Sequence, residues 1–287
     1  MIVKFIFCVV HIGILATGKV AFIAGGNDAR IEDAPWHAAI MSGDNIHCGG
    51  SVINEKWILS AAHCFYNYRW HPMDHWKIIV GSDDLKNKNV KFLKPKQIII
   101  HEKFDKPFYS NDIALIELEG GINLKSQVKP IDLINLSEKI VESSCLVYGF
   151  GSTVKDWWSS TLKVGQVPVI NGRKCGTLYC VPSSTNEIRP VYKSNICAGN
   201  LKGGDDACEG DSGGGLVCTN SKKRQVLVGI VSHGDGCGLP NRPTMYANVS
   251  SYLDWISFIT QRKIGNLAIP KKYMYNEKLV EKFNDCF

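Results

Sequence analysis

From residue 25 to residue 151 the chain alternates short apolar, β-branched runs with turn residues, and no run is long enough for a helix. Residues 37–40, 50–53, 57–60, 78–80, 97–101 and 114–118 are predicted strands. From Cys145 the same texture returns at 146–148, 165–170, 216–218, 226–231 and 244–248. Short strands at this spacing predict antiparallel barrels or sandwiches. One segment departs from the pattern. Residues 252–259 carry an apolar face at helical spacing behind Ser250 and Ser251, whose hydroxyls suit an N-cap, so a helix is predicted there. Residues 125–144 best suit a connection between two halves, and 264–287 read as a separate polar extension.

The first residues differ in kind. Residues 2–16 are almost wholly apolar, broken by Lys4, His11 and Gly13, and Ala16-Thr17-Gly18 supplies the small residues of a cleavage site. This predicts a signal peptide over 1–18. The run falls short of the roughly 18–20 apolar residues a membrane span needs, and no later segment is long enough. A secreted, extracellular protein with no membrane association after signal removal is therefore expected. Removing Cys8 from the eleven cysteines leaves an even ten, which suits disulfides in an oxidising compartment. The absence of any Cys-x-x-Cys pair argues against zinc, and no metal or cofactor is expected.

At 45% hydrophobic and 21% charged, the composition places the chain among globular rather than disordered proteins. The net charge of +6 falls to +4 when residues 1–22 are removed, because Lys4 and Lys19 leave and no acid does. That is too mild a balance to imply a nucleic-acid partner.

Chemistry concentrates in three separated segments: Ala61-Ala62-His63-Cys64, Asn111-Asp112-Ile113-Ala114-Leu115 and Cys208-Glu209-Gly210-Asp211-Ser212-Gly213-Gly214. A serine hydroxyl is a weak nucleophile at neutral pH and needs an adjacent base, itself oriented by a third group. A histidine, an aspartate and a glycine-flanked serine in separate motifs fit those three tasks. Together they point to a serine hydrolase. A lipase or esterase of another fold is disfavoured, because its triad order places the serine first.

These segments, with Ile23-Ala24-Gly25-Gly26, Pro35-Trp36, Cys48-Gly49-Gly50-Ser51, Gly149-Phe150-Gly151 and Val231-Ser232, resemble the trypsin-like serine proteases of the chymotrypsin family over about residues 23–263. The resemblance implies an all-β fold of two six-stranded antiparallel Greek-key barrels with a C-terminal helix, and an active site in the cleft between them. It implies His63 as general base, Asp112 as its orienting partner and Ser212 as nucleophile. Gly210 and Ser212 would supply the oxyanion-hole N–H groups. Residues 19–22 become a short propeptide of a zymogen, and the amine freed at Ile23 would pair with Asp211. Phe22 stands before that cut where the family commonly has Arg or Lys.

Asp206 matches the acid at the base of a trypsin-like primary pocket, with Ser232 and Gly234 on its walls, implying cleavage after Arg or Lys. Thr244 falls where an open pocket has glycine, which leaves restricted, elastase-like cleavage as the alternative. His233 replaces the usual tryptophan after Ser232. The resemblance also implies disulfides Cys48–Cys64, Cys145–Cys218, Cys175–Cys197 and Cys208–Cys237. Cys180 and Cys286 lie outside that set; either they bond each other or Cys286 bridges to a second molecule.

Remaining signals are local. Asn135-Leu136-Ser137 and Asn248-Val249-Ser250 are glycosylation sequons. Lys86, Lys88, Lys91, Lys94 and Lys96 form either a solvated face or an exosite for an anionic partner. Histidines 71 and 75 are read as loop residues rather than metal ligands. A secreted, monomeric serine endopeptidase acting on proteins or peptides is the expectation. A weakly active binding protein on a protease scaffold is the reading from another class.

Overall fold

The computed structural model describes residues 26–68, 71–124, 127–135, 140, 144–153, 157–180 and 190–260. The expected signal peptide and propeptide, Ile23, Cys286 and the expected C-terminal extension lie outside them. In chain order the elements are β1 (Asn27–Asp28), β2 (His37–Ser42), β3 (Asn45–Val52), β4 (Trp57–Ser60), α1 (His63–Tyr66), β5 (Trp76–Val80), β6 (Pro95–Ile100) and β7 (Ala114–Leu118). They continue with β8 (Asp132–Leu133), β9 (Ser144–Gly149), β10 (Lys163–Ile170), α2 (Gly172–Tyr179), β11 (Asn195–Ala198), β12 (Gly215–Thr219), β13 (Gln225–His233), β14 (Thr244–Asn248) and α3 (Leu253–Thr260).

The strands form two six-stranded antiparallel units, as the sequence leads one to expect. In the first, the order is β5-β2-β3-β4-β7-β6, a half-barrel whose outer strands meet at the Ile78–Leu93 bridge. In the second, β10-β11-β14-β13-β12-β9 closes on itself through the β9–β10 ladder. β1 adds to β10, and β8 lies parallel to β13. Every residue of β4 and β7 is buried, including Ser60, whose Oγ donates to Gly49 O, and Glu117, which pairs with Lys96. One core cluster runs through both units, from Ile40, Ile58 and Leu115 to Val147, Leu227 and Tyr246.

The predicted C-terminal helix is α3. Asn248, rather than Ser250 or Ser251, caps the single 3-10 turn before it, accepting from the Ser250 N–H. The helix α2 was not expected from the sequence. Its N-cap is Asn171, which accepts the N–H groups of Arg173 and Lys174, and it buries Cys175 and Tyr179 against Ile170, Val191, Cys197 and Met245.

The turn bearing Ser212 joins the two units. The Gly49 N–H in β3 donates to Ser212 O at 2.7 Å, and the Gly213 N–H donates to Val231 O in β13 at 2.8 Å. Gly213 sits at φ +81, and a Cβ there would lie 2.3 Å from Ser60 Oγ and 2.5 Å from Gly49 O. Only glycine fits this close approach. The serine is thereby held where residues from both units converge.

Candidate active site

His63 opens α1 immediately after β4, and Asp112 lies two residues before β7, so pairing of β4 with β7 brings the two together. Asp112 Oδ1 accepts the His63 backbone N–H at 2.8 Å, and Oδ2 accepts from Nδ1 at 2.7 Å. Ser232 Oγ donates to the same Oδ2 at 2.5 Å. The carboxylate is wholly buried, whereas the imidazole is 19% exposed to the cleft. Burial alone would raise the Asp112 pKa, but the His63 charge and the converging hydrogen bonds hold it below the ordinary value. For His63, burial opposes protonation, yet Asp112 and the Glu209 charge outweigh it and raise the pKa. A base of raised affinity for a proton, its Nδ1–H fixed on Asp112, leaves Nε2 to accept one.

Ser212 faces the same cleft, of about 330 Å³, with Tyr109, Glu209, His233, Gly234 and Thr244 also on its walls. Among the described residues, the Gly210 and Ser212 N–H groups donate to no backbone carbonyl. They are the pair expected to meet an oxyanion. Gly210 has φ +90, and a Cβ on it would lie 2.8 Å from Trp158 Cζ3, so the indole packs against this segment.

Asp211, beside the serine, points away from the cleft and is 2% exposed. Its carboxylate accepts the N–H groups of Gly151 and Cys208, both at 2.9 Å. Burial pushes its pKa up to about 7 despite those bonds, with the Asp206 charge adding to the rise. Gly149 makes room for it, since a Cβ there would lie 1.9 Å from Asp211 Oδ1.

Asp206 is 1% exposed and does not itself line the cleft, but it sits beside two residues that do, Ala207 and Thr244. It accepts the N–H groups of Ala207 and Gly238, both at 3.0 Å, and the Thr244 side chain also hydrogen-bonds to it. Burial pushes this carboxyl up to about 7 against those bonds. A Cβ on Gly234 would lie 3.5 Å from Thr244 Oγ1, so these two cleft-lining residues are in direct contact. Thr244, on the cleft wall, is thus also a hydrogen-bond partner of this buried acid.

All four disulfides implied by the resemblance are formed: Cys48–Cys64, Cys145–Cys218, Cys175–Cys197 and Cys208–Cys237. The first anchors α1 to β3, and the last ties the Ser212 loop to the pocket wall. Cys180 is also disulfide-bonded. In the lysine loop, Lys86, Lys88, Lys91 and Lys94 are exposed, as is Phe92, over whose ring Lys77 Nζ lies at 5.3 Å, while Lys96 pairs with Glu117 at 3.0 Å. Sequence reasoning passed over Tyr109, Glu209 and Trp158 as site residues. Only Glu209 carried a signal, its place within the serine motif.

This fold and this cleft are those of the trypsin-like serine protease family. A family model described as Trypsin matches residues 23–256, and the chain belongs to that family. It is 38% identical over 237 residues to mouse (Mus musculus) transmembrane protease serine 11C, covering 82% of this chain and 53% of that protein. It is 35% identical over 252 residues to rat (Rattus norvegicus) complement factor I, covering 84% and 39% of the two chains. A third relative, ovochymase of Halocynthia roretzi, is 35% identical over 263 residues, covering 86% of this chain and 16% of its own. The chain thus spans about half or less of the length of these relatives. Among the described residues, no helix is long and apolar enough to cross a membrane.

Proposed function

We propose that the protein is an active, secreted serine endopeptidase that cleaves peptide bonds through an acyl-enzyme on Ser212. Family membership implies protein substrates. The observation that carries activity is Asp112, which accepts two bonds from His63 and one from Ser232 in the cleft that Ser212 enters. In this reading His63 Nε2 takes the Ser212 proton as Oγ attacks the scissile carbonyl, and then passes it to the leaving amine. The Gly210 and Ser212 N–H groups receive the developing oxyanion. An organophosphorus serine reagent is expected to label the mature protein stoichiometrically, and Ser212→Ala to abolish labelling. Failure of the intact protein to label would favour the binding-protein reading instead.

For the substrate, buried Asp206, hydrogen-bonded to Thr244 of the cleft wall, supports Arg or Lys at the cleaved bond, with Thr244 narrowing the approach. The ionised carboxylate attracts a cation and the protonated one does not. Because burial holds Asp206 near 7, the KM of an arginine amide is expected to rise as pH falls below about 7, while that of an alanine amide stays flat. Turnover of the alanine amide with none of the arginine amide would replace this assignment by the elastase-like one.

Further parts of the proposal rest on sequence motifs. Cleavage before Ile23 frees the amine that meets Asp211, Asn135 and Asn248 carry glycans, and Cys180 pairs with Cys286. The exposed lysines around Phe92 are the place for an acidic partner. In that case, added salt slows cleavage of a protein substrate more than that of a small amide.

A further inference from the structure

The hairpin that follows the Ser212 turn ends in an exposed and strongly basic tip. Residues 220–224 join β12 to β13, and residues 221–225 are all exposed. Lys222-Lys223-Arg224 is the chain's single run of three consecutive Lys or Arg residues. Exposed loop tips are where proteases nick folded proteins, and this one offers three successive bonds that follow a basic residue.

One buried side chain nevertheless closes the tip. Asn220 is 0% exposed. Its Oδ1 accepts the Lys222 N–H at 3.0 Å and the Arg224 N–H at 2.9 Å, and its backbone carbonyl accepts the Lys223 N–H at 2.9 Å. The Asn220 N–H in turn donates to Arg224 O at 2.9 Å. A single residue thus receives the backbone N–H of all three basic residues. Asparagine suits the task because its short side chain reaches backbone groups a few positions on. Lys223 is held at φ +58, a left-handed conformation that a residue other than glycine keeps only where its surroundings impose it. Arg224 is also tied to β8, its Nη1 donating to Asp132 Oδ2 at 3.0 Å.

A protease takes its substrate as an extended segment, bonded to it like an added strand. Lys223 cannot reach that shape, nor can the three N–H groups turn to a new partner, until the bonds to Asn220 break. We propose that residues 222–224 are a latent cleavage site for proteases that cut after Lys or Arg, and that Asn220 is the latch that keeps it shut. Where opening is fast relative to cutting, the nicking rate follows the open population, and losing the two Oδ1 bonds raises that population about tenfold or more. Cleavage adds one water across one peptide bond: its oxygen goes to the carbonyl carbon, leaving a carboxylate, and the freed nitrogen becomes an amine. Cys208 precedes the tip and Cys237 follows it, so their disulfide keeps the two pieces joined. Resting on the Arg/Lys reading of the cleft, this protein is itself such a protease, and the latch guards it against self-cleavage.

The test uses mature protein carrying Ser212→Ala, so that added trypsin does all the cutting. The parent is compared with Asn220→Ala and with Asn220→Asp, which keeps the acceptor oxygen. Reducing gels separate the pieces, and mass spectrometry reads their new ends. The Ala variant is expected to be cut after Lys222, Lys223 or Arg224 about tenfold faster than the parent, with Asp restoring most of the protection. Cuts in the exposed lysine loop, residues 86–94, are the internal standard and should keep one rate in all three proteins. Three results would overturn the proposal: equal nicking of the tip in parent and Ala variant, an Asp variant as labile as Ala, or an equal rise at the lysine loop. A second arm restores Ser212. The Asn220→Ala enzyme is then expected to nick itself at the same bonds while wild type stays whole. If trypsin opens the Ala variant faster but the active enzyme never nicks itself, the latch stands and the Arg/Lys reading falls.

Discussion

Replacing Asp112 with asparagine is expected to lower kcat by about 10⁴-fold, the loss chymotrypsin-type enzymes show on this change, with little effect on folding. The reason lies in the three donors around the carboxylate. The His63 backbone N–H, His63 Nδ1–H and Ser232 hydroxyl all point at acceptor oxygens. An asparagine of the same shape presents one oxygen and one NH₂. If the oxygen keeps the His63 backbone N–H, the NH₂ faces Nδ1 and Ser232. The imidazole then meets a donor, moves its proton to Nε2 and no longer accepts one from Ser212. Burial sharpens the effect, since no water can enter to restore the correct tautomer. A pH–rate profile checks it: activity in the variant should recover partly at high pH, where hydroxide replaces the missing base. A variant that keeps wild-type kcat at pH 7.5 would exclude His63 as the general base.

A second large effect is expected at Asp211. Its carboxyl is buried among backbone donors with a pKa of about 7, against roughly 3.9 for an ordinary aspartate. An acid whose folded pKa is raised holds its proton in the native state at pH values where the unfolded chain has already lost it. Stability is therefore lost as pH rises from about 4 to about 7, and above 7 the full cost of the buried charge, on the order of 4 kcal/mol, is felt. A cationic partner would offset most of this. A protein beginning at Ile23 should thus melt at a distinctly higher temperature at pH 8 than one carrying a single extra residue before it. At pH 5 the gap should narrow, because Asp211 in the extended form then keeps its proton. Asp211→Asn should remove the pH dependence of the gap and reduce activity of the Ile23 form. Equal melting of the two forms at pH 8 would exclude the Ile23–Asp211 pair.

Most strands were legible because their residues state their environment. The apolar Trp57-Ile58-Leu59 of β4 and the β-branched residues of β13 have no reasonable place outside a sheet. The helix α2 was not legible. Gly172 and Gly176 lower its helix propensity, and its short buried face finds partners only when β11 and β14 come alongside. β8 is two residues long and pairs in parallel with a strand more than 90 positions later, so no local pattern marks it. At the site, the His63, Asp112 and Ser212 motifs were visible because each needs unusual neighbours: a cysteine anchor, a strand entry, and glycines that permit a crowded turn.

Thr244 was visible as a departure in type, but its bond to Asp206 was not. Tyr109 and His233 stand 124 positions apart and carry no shared signal, yet their rings stack over the cleft.

The chain alone determined the class of chemistry, the strand-rich architecture and the cysteine partners that the family resemblance implies. The first two follow from residue identity and short-range spacing, the cysteine partners from the resemblance alone. Tertiary structure decided which donors meet Asp112 and that Tyr109 stacks on His233 while meeting the His63 ring edge-on. It also decided that Asp206 and Asp211 sit high in pKa. Those properties depend on how much water is excluded and which distant groups converge, and burial and convergence arise only when the two sheets close around the Ser212 turn.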